Sequence, residues 1–243
     1  MQPMDQELGK DWLIDRIAWE KQIQPGTPVE VHNPYGDIRS RGTDDGKLAL
    51  SAMVQSHKDD EHKVEFDIQE KDGAVIVNVI YKGKEEDTVK KNGLRRADVT
   101  VYVPDGSPYT VSTFKGLLEA KGLKCDVDAS SDRGKIFLRL NGHITAKNRQ
   151  GHIKAVIKEA VWKKPMVFES VLGNIEVHLP SQAGGMATAK TRGHITTDYS
   201  IDIEHTKGSK LKVGKARLGD GKQELLLTNH QGDIKIVRGL WDE

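Results

Sequence analysis

Gly134-Lys135-Ile136-Phe137-Leu138-Arg139-Leu140-Asn141-Gly142-His143-Ile144-Thr145-Ala146-Lys147-Asn148-Arg149-Gln150-Gly151-His152-Ile153 is the stretch on which the fold turns. Three times in it a glycine is followed by one polar residue, an isoleucine, and then polar side chains alternating with apolar or small ones. That alternation is the period of a β-strand with one face buried. The glycine at its head marks a turn or close approach where a Cβ does not fit. The phrase recurs at Gly36-Asp37-Ile38, Gly173-Asn174-Ile175, Gly193-His194-Ile195 and Gly232-Asp233-Ile234, which makes seven copies in all. The inward set runs on from the isoleucines through Leu138, Leu140, Ala146, Ala155, Ile157, Val177, Leu179 and Ile236.

The spacing of the phrase points to an architecture. From Gly134 to Gly151 is 17 residues, to Gly173 a further 22, to Gly193 a further 20, and to Gly232 a further 39, close to two such steps. Steps of this size predict an all-β fold, a single-stranded β-solenoid of roughly 20-residue coils with a less regular N-terminal β part. An antiparallel sandwich or meander is the rival. Tight hairpin signals are scarce between the repeats, which favours the solenoid. Residues 1–14 read as an N-terminal tail and 15–96 as an N-terminal β region. Within it Glu70-Lys71-Asp72-Gly73 joins two alternating segments as a hairpin, and Lys82 to Arg96 forms a charged loop. Residues 97–243 are the solenoid region, continuous with 15–96 as one domain, and Leu240-Trp241 is its expected end cap.

Two stretches carry a resemblance to a known family. Val29-Glu30-Val31-His32-Asn33-Pro34-Tyr35-Gly36-Asp37-Ile38, and Val99-Thr100-Val101-Tyr102-Val103-Pro104-Asp105-Gly106 leading into the repeats, resemble the bacterial putative-adhesin family, a domain of unknown function with recurring Gly-Asp-Ile β-strand repeats. The likeness covers roughly residues 17 to 240. It implies a stacked β-strand repeat of the cell envelope with an adhesive role and no assigned chemistry. The chain departs from the pattern in its long charged stretch, Lys82 to Arg96. Family members commonly carry an export signal or membrane anchor, whereas Met1 to Lys10 lacks the basic-then-apolar layout of a signal peptide. The expectation is an extracytoplasmic protein, periplasmic or at the cell surface, whose export signal was trimmed; without such a signal it is cytoplasmic.

Composition narrows the function classes. Thirty-seven basic residues face thirty-six acidic ones, so no global field concentrates phosphate, and a nucleic-acid partner is not expected. No apolar run reaches the length of a transmembrane helix. Cys125 is the single cysteine and lies in an inward alternation with Val127 and Ala129, which excludes an intramolecular disulfide. The phosphate-loop, dinucleotide, nucleophile-elbow and zinc-protease signatures are all absent. Asp126, Asp128 and Asp132 begin like a calcium loop, but Ser131 stands where its sharp-turn glycine belongs and Phe137 where its bidentate glutamate belongs. His143, His152 and His194 each follow a repeat glycine and read as outward polar residues.

The function expected is a non-enzymatic adhesin, scaffold or sensor, with no catalytic residue, no metal site and no cofactor. Its partner is an unknown protein or glycan surface, and self-association is open to it. A polysaccharide-active lyase or hydrolase is one alternative, and a self-assembling cytoplasmic scaffold another. The candidate interaction face is Phe137, an apolar residue at an outward position, with Lys135 and Arg139. The candidate structural repeat residues are Gly36, Ile38, Gly134, Ile136, Gly142, Ile144, Gly151, Ile153, Gly173, Ile175, Gly193, Ile195, Gly232 and Ile234.

Overall fold

The computed structural model describes residues 11–58, 60, 63–83, 95–205 and 208–239. The expected cap Leu240-Trp241, positions 84–94 of the charged stretch and the first ten residues of the tail lie outside them. The N-terminal third contributes β1 (Trp12–Gln22), β2 (Val29–Tyr35), β3 (Ile38–Thr43), β4 (Lys47–His57), β5 (Val64–Lys71) and β6 (Ala74–Tyr81). Next come β7 (Arg95–Pro104), β8 (Tyr109–Lys115), β9 (Leu118–Lys124), β10 (Val127–Arg133), β11 (Ile136–Asn141), β12 (Ile144–Gln150), β13 (Ile153–Ile157), β14 (Met166–Leu172) and β15 (Ile175–Leu179). The last are β16 (Gly185–Thr191), β17 (Ile195–Thr197), β18 (Ile201–His205), β19 (Lys212–Gly219), β20 (Glu224–Gln231) and β21 (Ile234–Arg238).

These strands build two large mixed sheets. One has ten strands in the order β1-β4-β7-β3-β9-β11-β13-β15-β21-β17; the other has eleven, β18-β19-β16-β20-β14-β12-β10-β8-β2-β6-β5. The single-stranded solenoid expected from the spacing is overturned. Each step of about 20 residues holds two strands, one per sheet, with a glycine turning the chain between them. The centre of each sheet is parallel, as in β12 on β10 and β13 on β11. Antiparallel pairs close the sheets at β1 with β4, β4 with β7, β5 with β6, β16 with β19, and β18 with β19. Strand order also departs from chain order, because β20 lies between β14 and β16, and β21 between β15 and β17. The 39-residue interval before Gly232 is therefore not two coils. It contains a hairpin, β18 and β19, and then β20, inserted back into the eleven-stranded sheet; β21, after Gly232, is inserted likewise into the ten-stranded one.

One apolar core lies between the sheets. On the ten-stranded side Ile38, Leu118, Ile136, Ile153, Ile175, Ile234 and Ile195 stand in register across neighbouring strands. All but Ile195, which sits on the edge strand β17 and is half-buried, are fully covered. Burying each such side chain contributes about 1.5–3 kcal/mol. Ile144 belongs to the other sheet, where it pairs with Val127. Gly142 is thus the corner at the opposite end of the step from Gly134 and Gly151. Tyr109 reaches from the eleven-stranded sheet across the core, its hydroxyl 2.7 Å from Ser40 Oγ on β3.

A buried polar row stands at the glycine corners. Asn33, Thr113, Ser131, Asn148, Ser170 and Asn229 are in register on adjacent strands and all buried. The asparagines satisfy main-chain carbonyls at the corner: Asn33 Nδ2 donates to Ala97 O at 2.7 Å, Asn148 Nδ2 to Gly134 O at 2.7 Å, and Asn229 Nδ2 to Gly173 O at 2.6 Å. Asn148 Oδ1 also accepts the Gln150 N–H at 3.0 Å. Asn148→Ala is expected to lower stability by about 1–3 kcal/mol, because two main-chain groups lose a buried partner. Chemical denaturation checks this, and an unchanged midpoint would mean that water replaces the amide at no cost.

Candidate functional site

Phe137 and Arg139 lie on the outer face of β11, both half-buried, and Lys135 is exposed in the turn before that strand. The Phe137 ring is neighboured in register by Glu119 on β9 and Lys154 on β13, and Lys121 Nζ stands 5.1 Å from its centroid. A shallow depression of about 290 Å³ runs beside it, lined by Lys135, Phe137, His152, Lys154, Asn174 and Glu176 among others. The structure thus gathers Lys135 and Phe137 at one depression, with Arg139 further along the same strand.

The histidines and aspartates singled out in the sequence do not converge. His143 and His152 belong to opposite corners, Nε2 of the first 2.8 Å from Pro165 O and Nδ1 of the second accepting the Asn174 N–H at 3.0 Å. His194 sits beside Asp233. Asp126, Asp128 and Asp132 spread along β10 and the turn before it, with Asp132 paired to Arg149. Among the described residues no three His, Cys, Asp or Glu side chains stand close enough to share a metal ion. Burial pushes the Cys125 thiol up to about 12, so it stays protonated and unreactive.

The larger concavity lies on the other sheet. A groove of about 750 Å³ crosses the outer face of β2, β8, β10, β12, β14 and β20, six adjacent strands. Parallel register sets two outer rows along it. One is His32, Ser112, Ser130, Lys147, Glu169 and Thr228. The second, two residues further along each strand, is Pro34, Phe114, Asp132, Arg149, Val171 and His230. At roughly 4.8 Å per strand the groove is about 24 Å long.

Its charges are paired across strands. Arg149 Nη2 donates to Asp132 Oδ2 at 2.7 Å, and a second bond joins Arg149 Nε to Asp132 Oδ1. That fork holds the Asp132 carboxyl below its usual range. Lys147 Nζ is 3.4 Å from Glu169 Oε2, and His32 Nδ1 is 2.7 Å from Ser112 Oγ. Phe114 packs edge-on against Tyr35 with ring centres 5.7 Å apart, and the Arg133 guanidinium lies 5.4 Å from its centroid. Carboxylates on the opposite sheet are tied down in the same way. Burial pushes Glu119 and Glu176 up, but Arg41 and Lys121 for the first, and His178 and Lys154 for the second, outweigh it and hold both low.

No protein-family model matches the chain, and no curated protein is similar to it. It is remotely similar to several solved structures. One, described as a putative cell adhesion protein from Clostridium sporogenes ATCC 15579, is 14% identical with a TM-score of 0.44, covering 92% of this chain and 100% of its own. A putative adhesin from Bacteroides fragilis NCTC 9343 is 12% identical with a TM-score of 0.39, covering 91% and 97%. A putative adhesin from Parabacteroides distasonis ATCC 8503 is 9% identical with a TM-score of 0.26, again covering 91% and 97%. Likeness at this distance transfers no residue role. Among the described residues no helix is long and apolar enough to cross a membrane.

Proposed function

We propose that the chain is a non-enzymatic adhesion or scaffolding protein of the bacterial cell envelope, acting outside the cytoplasm through the outer faces of its sheets. The reading rests on the in-register outer rows, in which a side-chain position recurs from strand to strand at roughly 4.8 Å. A contact made on one strand is offered again on the next, which suits an extended surface partner better than a single small substrate. Carboxylates such as Glu119, Asp132 and Glu176 are held low by cationic partners, so they remain ionised at neutral pH and are poor proton donors. Lys135, Phe137 and Arg139 form part of the contact surface on the ten-stranded side, and the partner there is a protein or glycan surface or a second copy of the chain.

The test is to titrate the purified chain against whole bacterial cells, matrix proteins and itself, with Phe137→Ser alongside the parent. Saturable binding, about tenfold or more weaker in Phe137→Ser, is expected. Unchanged binding with lowered stability would remove Phe137 from the contact surface. New reducing ends or unsaturated products on incubation with polysaccharides would overturn the non-enzymatic reading.

A further inference from the structure

We propose that the groove across the outer face of the eleven-stranded sheet binds an extended, uncharged glycan chain. This rests on the reading of the protein as a binding module, and it adds the site and the ligand class.

The backbone decides against a peptide. The floor of the groove is the middle of a sheet, where main-chain N–H and C=O groups are already paired between β2, β8, β10, β12, β14 and β20. An extended peptide gains affinity on a sheet by adding a strand to an edge, and that route is closed on a face. What the face offers is side-chain chemistry. Asp132 beside Arg149, Glu169 beside Lys147, and His32 beside Ser112 each set an acceptor next to a donor. A sugar hydroxyl both donates and accepts, so neighbouring hydroxyls on a ring can satisfy both members of such a pair.

Because these charges neutralise one another across strands, a charged polymer gains little from them. An uncharged one loses little, since no isolated charge is left to desolvate. Phe114 and Val171 give the groove apolar wall against which the C–H faces of sugar rings can pack. A length of about 24 Å holds several linked rings rather than one or two.

The full chain is titrated calorimetrically with cellohexaose, maltohexaose and chitohexaose, each beside its disaccharide, and with polygalacturonate and an uncharged Ser/Gly/Thr octapeptide. At least one hexasaccharide is expected to bind, with its disaccharide about tenfold or more weaker. Arg149→Ala, which removes a donor, and Ser130→Trp, which fills the groove from its outer face, are each expected to cost about tenfold or more while the unfolding midpoint stays near that of the parent. The proposal is overturned if no hexasaccharide binds, if the octapeptide or polygalacturonate binds as tightly as the best hexasaccharide, or if both variants bind like the parent. Whole-cell binding separates the two levels: cells held equally by the parent and Ser130→Trp while neither binds a hexasaccharide would remove the groove and leave the adhesion reading standing, whereas a parent that holds no cells, no matrix protein, no second copy and no glycan would remove both.

Discussion

Gly151→Ala is expected to prevent folding, or to lower stability by more than about 4 kcal/mol. A Cβ at position 151 would meet the carbonyl oxygen and carbon of Gly134 at under 3.0 Å, closer than real Cβ atoms come, and the obstacle is backbone that cannot swing aside. The φ of 140° adds a conformational cost for any L side chain. Relief would require the corner to move outward, breaking the bond from Gly151 N to Leu172 O at 2.7 Å. The collision is not local. Gly116 faces Gly36 O, Gly134 faces Gly116 O, Gly173 faces Gly151 O, Gly232 faces Gly173 O and Gly193 faces Gly232 O, so the glycines form one close-packed column down the molecule. Gly26 is the control. Its φ is also positive, at 80°, but nothing lies within 4 Å of its Cβ position, so Gly26→Ala should cost only the left-handed backbone strain, about 1–2 kcal/mol. Urea denaturation of both variants checks the pair, and equal midpoints would mean that the column is not close-packed.

That column explains what the sequence made legible. A glycine needed for close approach leaves no substitute, so the phrase at Gly134, Gly151, Gly173 and Gly232 survives in the chain as a plain signal. The inward isoleucines follow from period-2 alternation, and the hairpin between β5 and β6 from Asp72-Gly73, both at positive φ. Partner choice was not legible. Periodicity says which face of a strand is buried but not which strand it sits beside, so two sheets with inserted β20 and β21 share the same spacing as a uniform coil. Gly116-Leu117-Leu118 belongs to the column without carrying the phrase, because leucine stands in place of both its polar residue and its isoleucine. The small polar residue three positions before Gly36, Gly134, Gly151, Gly173 and Gly232, namely Asn33, Ser131, Asn148, Ser170 and Asn229, is a signal of the corner that the sequence also carries. The groove had no such signal. Its lining runs from His32 to His230, and only register brings those residues together.

Ile175→Asp is expected to cost about 3–5 kcal/mol, the second largest effect. Ile175 has no exposed surface and stands between Ile153 on β13 and Ile234 on β21, so a carboxylate there has apolar neighbours on both flanks. Ionised, it would be a buried unpaired charge; protonated, it would still leave hydroxyl and carbonyl without partners in a cavity cut from the isoleucine column. Ile195→Asp supplies the scale. Ile195 occupies the same register position on the edge strand β17, half-buried, so its aspartate can reach water and should cost clearly less. The difference between the two variants isolates burial from the change of residue type, which a single substitution cannot do. Denaturant midpoints measured at neutral pH and again near pH 4 sharpen the test. A buried carboxyl with a raised pKa takes up its proton below that pKa, so the deficit of Ile175→Asp relative to Ile195→Asp should shrink on acidification. If both variants unfold at the same midpoint at neutral pH, the centre of the ten-stranded sheet is no better covered than its edge, and the core assigned between the two sheets is wrong.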